Sequence, residues 1–171
     1  MSHARDSCNM ASTEERAFKL DVNITKSEDS SPVFFKVDGE RFKEVQTLKL
    51  QVDTKYRLSF EFRPAMEVSE ISMGGVNLEH TLKMSDERSS QYECLWSTYG
   101  MNESKSKDRF YSVLYIKFTN DKQLNARIQC KMYSLKDKNH VTWGSCLKNL
   151  HIDCKMKDGQ NYIDVQQVLF K

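Results

Sequence analysis

Histidine and cysteine are the residues of this chain best suited to ligating a metal or attacking a carbon centre. Their spacing assembles neither chemistry. The four histidines are His3, His80, His140 and His151, and none stands at metal-ligand spacing from another or beside a nucleophile motif. Each is expected on a surface or in a turn, with His151 on the polar parity of its run and directed to water. The five cysteines, Cys8, Cys94, Cys130, Cys146 and Cys154, are odd in number and contain no C-x-x-C pair, which fits a reduced intracellular chain. Cys94, Cys130 and Cys154 share parity with apolar residues and are expected to behave as small buried hydrophobes. Gly74-Gly75 has neither a phosphate-loop pattern around it nor a helix after it, so it reads as a turn or bulge. No acid, base and nucleophile combine, so catalysis is the least supported function class. No catalytic residue, metal or cofactor is expected.

Aromatic residues offer a different chemistry, the accommodation of apolar ligands. The chain has nine Phe, seven Tyr and two Trp. If two sheets splay apart, Phe60, Phe62, Trp96, Tyr115, Phe118, Met132 and Trp143 would line a cavity for an acyl chain or an amphipathic peptide. If the sheets close, the same residues fill a core. The segment Glu103-Ser104-Lys105-Ser106-Lys107-Asp108-Arg109 carries cations suited to anionic lipid and serines suited to phosphorylation, but its acids dilute the field and a solvated loop is expected. Across the chain, 26 Lys and Arg face 24 Asp and Glu for a formal charge of +2. That balance argues against a dedicated nucleic-acid binder, whose affinity comes from clustered cations that release counterions.

The elements that would position these side chains are strands. Alternation with a period of two, the mark of a strand with one buried face, recurs along the chain. Phe18, Leu20, Val22 and Ile24 alternate with Lys19, Asp21 and Asn23, and Tyr56, Leu58, Phe60 and Phe62 alternate with Arg57, Ser59, Glu61 and Arg63. Ala126, Ile128, Cys130 and Met132 form a third such run and Leu150, Ile152, Cys154 and Met156 a fourth. Residues 110–118 are apolar on both parities, as a central strand would be. Further strands are expected at 33–37, 48–52, 68–73, 78–84, 92–99 and 163–168. Asp38-Gly39 fits a type I′ hairpin turn, and all six glycines fall at or near the ends of alternating runs.

Helical periodicity does not persist anywhere. Many short antiparallel strands separated by turn signals indicate an all-β, immunoglobulin-like sandwich, with a barrel as the alternative. The length suits one domain, expected over 17–171, able to bury roughly two thirds of the surface its unfolded chain exposes. Residues 1–16 mix charges without an apolar stretch and are expected to form a flexible tail, not a secretory signal. No run approaches the roughly 18 apolar residues of a membrane-spanning helix, and the sequons at Asn23 and Asn102 read as chance matches. Balanced charge and polar strand faces favour a monomer.

The stretches 31–42, 71–76, 131–133 and 140–145 resemble the cannabinoid receptor-interacting protein family. Ser31-Pro32-Val33-Phe34-Phe35-Lys36-Val37-Asp38-Gly39-Glu40-Arg41-Phe42 is similar to the family's P-V-F-Y-K-V-D-G-x-R-F, with Thr47-Leu48-Lys49-Leu50 following at the matching distance. Ile71-Ser72-Met73-Gly74-Gly75-Val76 resembles I-S-I-G-G-V. Lys131-Met132-Tyr133 resembles K-F-Y, and His140-Val141-Thr142-Trp143-Gly144-Ser145 resembles H-x-x-W-G-S. The matches occur in order between Phe18 and Phe170.

This resemblance implies a RhoGDI-like sandwich. It also implies an intracellular adaptor, cytoplasmic and peripheral at the inner face of the plasma membrane, that binds the C-terminal tail of a cannabinoid-type G-protein-coupled receptor and tunes its signalling or trafficking. A RhoGDI-like carrier that shields a prenyl or acyl chain of a lipidated partner is the alternative. Phe34 and Lys36, on the parity opposite Val33, Phe35 and Val37, are the first candidates for a peptide or lipid contact. Arg41 and Trp143 stand beside them. The chain departs from the family pattern in a longer N-terminal tail, in Cys146 where the pattern has proline, and across 78–121, departures that bear on the partner more than on the fold.

Overall fold

The computed structural model describes residues 14–38 and 45–171, and these residues form two β-sheets packed face to face. The strands are β1 (Glu15–Lys26), β2 (Phe34–Asp38), β3 (Val45–Gln51), β4 (Lys55–Arg63), β5 (Val68–Met73), β6 (Val76–Leu78), β7 (His80–Ser85), β8 (Ser90–Ser97), β9 (Phe110–Phe118), β10 (Gln123–Tyr133), β11 (Ser145–Cys146), β12 (Leu150–Lys157) and β13 (Asp164–Phe170). One sheet has the order β13-β12-β1-β4-β8-β7 and the other β11-β2-β3-β10-β9-β5-β6. The expected β-sandwich is therefore present. It is antiparallel apart from one pair: β3 runs parallel to β10, with Leu48 beside Cys130 and Leu50 beside Met132. Two strands far apart in sequence can lie parallel because the intervening chain supplies the crossover, which local alternation does not reveal. The region expected as one strand at 78–84 is divided, β6 closing the second sheet and β7 the first.

Alternation acts as the folding instruction. In β4 the even positions Tyr56, Leu58, Phe60 and Phe62 are buried while Arg57, Ser59 and Glu61 lie on the outer face, because a pleated strand sends successive side chains to opposite sides. β1, β8, β10 and β12 repeat the pattern. Phe62 sits at the middle of an aromatic cluster, 5.5 Å from Phe118, 6.0 Å from Tyr92 and 6.3 Å from Phe18 between ring centroids. Edge-to-face packing at such distances adds about 0.5–1.5 kcal/mol per pair beyond area burial.

Polar stitches join the two layers. The Gln51 backbone N–H donates to the Tyr56 hydroxyl at 2.8 Å. The Val68 N–H donates to the Tyr92 hydroxyl, which in turn donates to the Met66 carbonyl, each at 3.1 Å. Burial pushes the Tyr56 hydroxyl up to about 12, so it stays protonated in this setting.

One parity expectation needs correction. Val37, expected on a core face, is 49% exposed. It lies opposite Gln46, whose side-chain amide reaches the Phe170 backbone, so an apolar partner is lacking there. β2 and β3 pair antiparallel, but Asp38 lies within β2 opposite Val45, so the two-residue turn expected at Asp38-Gly39 does not join them; the six-residue connection 39–44, including Gly39 and Arg41, lies outside the described residues. β1 begins at Glu15, so Arg16 belongs to a strand; residues 1–13 of the expected tail are likewise outside the described residues.

Candidate functional site

Nine of the ten candidate residues, all but Arg41, are among the described residues, and they separate into an interior set and a surface set. Phe60, Phe62, Trp96, Phe118 and Met132 are each no more than 3% exposed and belong to the continuous core. They fill the space between the sheets, so of the two readings offered for these aromatics the filled core is the one realised. Tyr115 is half-buried on the outer face of β9, opposite Ser72 on one side and Asn125 on the other. Trp143 is 58% exposed. It therefore lies apart from the five core residues with which it was grouped. Phe34 is half-buried and Lys36 exposed.

The surface set leads to a built feature, a strap that crosses the outer face of β3. It leaves β10 at Ser134, makes a single 3₁₀ turn at His140–Thr142 and ends in β11. Asp137 organises its first half: the carboxylate accepts from the backbone N–H of Asn139 at 3.0 Å and of Val141 at 3.3 Å, and it stands 3.3 Å from the His140 imidazole. Although burial alone would raise it, these backbone bonds hold the Asp137 carboxyl below its ordinary range. The His140 and Trp143 rings then pack against each other at 4.3 Å.

Lys49 fastens the strap from below. Its ammonium donates to the carbonyls of His140 at 2.9 Å and Trp143 at 2.6 Å, and the residue is only 6% exposed although its parity is that of the outer face. Burial, followed by the positive charges of Lys36, Lys131 and Arg109, pushes this amine below the usual lysine range, with Asp137 opposing. Gln51 adds a second anchor, donating to the Asp137 carbonyl at 3.1 Å, and Lys26 donates to the Gln51 side chain.

The far end of the strap meets β2. Gly144 adopts φ +118°, and a Cβ there would lie 2.4 Å from the Phe35 carbonyl oxygen, so only glycine lets the two backbones approach this closely. Beyond it Ser145 pairs with Phe35 and Cys146 with Phe34, and the Leu147 N–H donates to the Val33 carbonyl at 2.8 Å. Segments distant in sequence, around Phe34, Lys49, Tyr133 and Trp143, are thus assembled at one corner of the second sheet. Tyr133 completes it, its ring lying 5.7 Å from the Lys49 ammonium and 5.3 Å from that of Lys131.

Sequence reasoning found Phe34, Lys36 and Trp143 but missed Lys49, Gln51, Tyr133 and Asp137. Lys49 sits on the outward parity of an otherwise unremarkable strand, and only the strap's passage over it gives it a role. The one local signal was Trp143 followed directly by glycine.

Elsewhere the chemistry is quiet. Among the described residues no group of three or more His, Cys, Asp or Glu is placed to hold a metal ion. Cys94, Cys130 and Cys154 are buried free thiols, pushed by burial up to about 12, and Cys146 is exposed. His151 lies on the outer face as expected, yet it is wedged between Asp21 at 2.7 Å and Asp153 at 3.1 Å, with its side chain 13% exposed. No helix among the described residues is long and apolar enough to cross a membrane.

A closed sandwich that carries a surface strap, exposed aromatic rings and neighbouring cations has the architecture of a docking module. Comparison with known proteins gives the family. The model of the family described as CB1 cannabinoid receptor-interacting protein 1 matches residues 14–170, and the chain belongs to that family. The rat protein of that name is 29% identical over 155 residues, covering 89% of this chain and 94% of the relative. The human and bovine proteins are 27% identical over the same share. These relatives are named for interaction with the CB1 cannabinoid receptor.

Proposed function

We propose that this chain is a non-enzymatic, monomeric adaptor that binds the cytoplasmic C-terminal tail of a cannabinoid-type G-protein-coupled receptor and modulates its signalling or trafficking. It acts in the cytoplasm, at the inner face of the plasma membrane. The observation that carries this reading is the family match over nearly the whole folded chain. The strap adds a place for the contact. Lys49 fixes the backbone carbonyl of Trp143, the exposed indole packs on the His140 ring, and such an indole on a fastened strap suits a peptide anchor, since tryptophan is enriched at binding hot spots. The filled interior favours a peptide on the surface over a lipid chain carried between the sheets.

Calorimetric titration with a receptor C-terminal peptide, with and without a lipidated cysteine, tests the proposal. Saturable binding of the unmodified peptide, weakened at least tenfold by Trp143→Ala, is the expected result. Binding only of the lipidated peptide would transfer the assignment to a lipid-chain carrier, and binding of neither would remove the receptor as partner.

A further inference from the structure

The outer faces of the two sheets differ in how they handle charge. On the first sheet cations and anions neutralise one another: Arg57 pairs with Glu93 at 3.3 Å, Arg63 with Asp21 at 3.6 Å, and His151 lies between Asp21 and Asp153. On the second sheet the outward positions of four adjacent strands read Phe34 and Lys36 in β2, Thr47, Lys49 and Gln51 in β3, Asn125, Arg127, Gln129, Lys131 and Tyr133 in β10, and Tyr111, Val113, Tyr115 and Lys117 in β9. The charged outward positions of β9 and β10 are all cationic, whereas β2 also carries Asp38 on the parity of Phe34 and Lys36, in a chain whose overall charge is only +2. The acids near this face stand at its borders: Glu70 opposite Lys117 on β5, Asp137 in the strap, and Glu103 and Asp108 in the loop before β9.

Aromatic rings are spread among the cations. The Arg127 guanidinium lies 4.0 Å from the Tyr111 ring, and Tyr111 is 51% exposed. The Lys131 ammonium lies near the Tyr133 ring and also donates at 2.8 Å to the Ser106 carbonyl. That bond holds the loop with Lys105 and Lys107 beside the face. Surface depressions lie on the outer face of the first sheet around Asp21, Glu61 and Arg63 and elsewhere around Asp53 and Tyr99 or Glu70 and Glu79. What remains is the open outer face of the adjacent strands β9 and β10, about 5 Å apart, because the strap covers the outward residues of β3. Its cations are distributed over it, with amphipathic rings between them.

We propose that this face docks directly on an anionic lipid bilayer, with Lys117, Arg127 and Lys131 over lipid phosphates and carboxylates and Tyr111 and Tyr115 at headgroup depth. A planar surface of negative charge complements distributed cations, each contributing independently to attraction. Tyrosine and tryptophan suit the interface because the ring is apolar and its polar tip stays wet. The contact goes beyond recognition of a receptor tail and would set the orientation in which a membrane-borne partner is met.

Flotation of the full chain with lipid vesicles tests this directly. Vesicles of phosphatidylcholine with about one third phosphatidylserine should capture the protein while pure phosphatidylcholine vesicles do not, and capture should fall as salt rises. Lys117→Gln combined with Arg127→Gln should weaken capture roughly 25-fold, about fivefold for each cation. Tyr111→Ser, which leaves the charge untouched, should weaken it severalfold. Lys19→Gln with Lys155→Gln on the opposite face should change capture less than about twofold. Thermal melts establish that each variant is folded. Equal capture by neutral vesicles, no capture at all, or the same loss from the Lys19 and Lys155 pair would overturn the proposal. Calorimetry with the receptor peptide separates this reading from the adaptor function, because the Lys117 and Arg127 variant should bind that peptide as the unaltered chain does. Loss of peptide binding in that variant, with no vesicle capture by the unaltered chain, would make the face a reader of acidic peptide and end the membrane reading.

Discussion

At the residue scale Gly144 and Lys49 do work that their chemistry makes hard to replace. Gly144→Ala would set a Cβ against the Phe35 carbonyl in a left-handed backbone, so we expect a loss of about 2 kcal/mol or more, measured by urea denaturation. Lys49→Met removes the donor shared by the His140 and Trp143 carbonyls. Loss of about 2 kcal/mol is expected, together with faster amide hydrogen exchange across the strap and a changed Trp143 emission. An unchanged exchange rate at Val141 and Trp143 would show that Lys49 does not hold it. The thiols give a pH prediction. Cys94, Cys130 and Cys154 titrate near 9 when free, and burial raises all three to about 12 in the fold. A raised folded value means the stabilisation is complete below pH 9 and disappears as pH climbs through about 12. Tyr56, raised from about 10 to about 12, acts in the same direction. The melting temperature should therefore decline steadily from pH 9 upward, and in a Cys8→Ser chain only Cys146 should react rapidly with a thiol reagent at neutral pH.

At the element scale the sandwich depends on strands whose inner residues meet across the layers. Phe62 touches aromatic partners from both sheets, and Phe62→Ala should cost about 3–5 kcal/mol by chemical denaturation. Such strands were legible in the sequence because alternation is local: β4, β10 and β12 can each be read from eight or so residues, and their inner faces are those expected. What was not legible is what depends on a meeting of distant segments. Lys49 looks like any exposed strand lysine until the strap covers it, and Val37 looks like a core residue until its neighbour is seen to be Gln46. The parallel pairing of β3 with β10 has the same origin, since no short-range pattern states which strands become neighbours. Trp143 was found as a candidate from its type, while its separation from Phe60 and Trp96 follows from the strap carrying it outside the sheet.

At the scale of the whole molecule, a filled interior places function on the surface, and the two sheets offer unlike surfaces. The first is neutralised by its own ion pairs, whereas the second carries only cations at the charged outward positions of β9 and β10, among aromatic rings, and ends in the strap. An adaptor built this way would keep its fold constant while partner choice rests on a few exposed side chains, a division that fits a chain 27–29% identical to the relatives it matches. The measurement that tests the central claim most directly is calorimetric titration of the full chain with the unlipidated C-terminal peptide of a cannabinoid-type receptor, beside Trp143→Ala. The account predicts saturable binding that the substitution weakens at least tenfold with the fold intact. Absence of binding by the unaltered chain, or binding that Trp143→Ala leaves untouched, would contradict it.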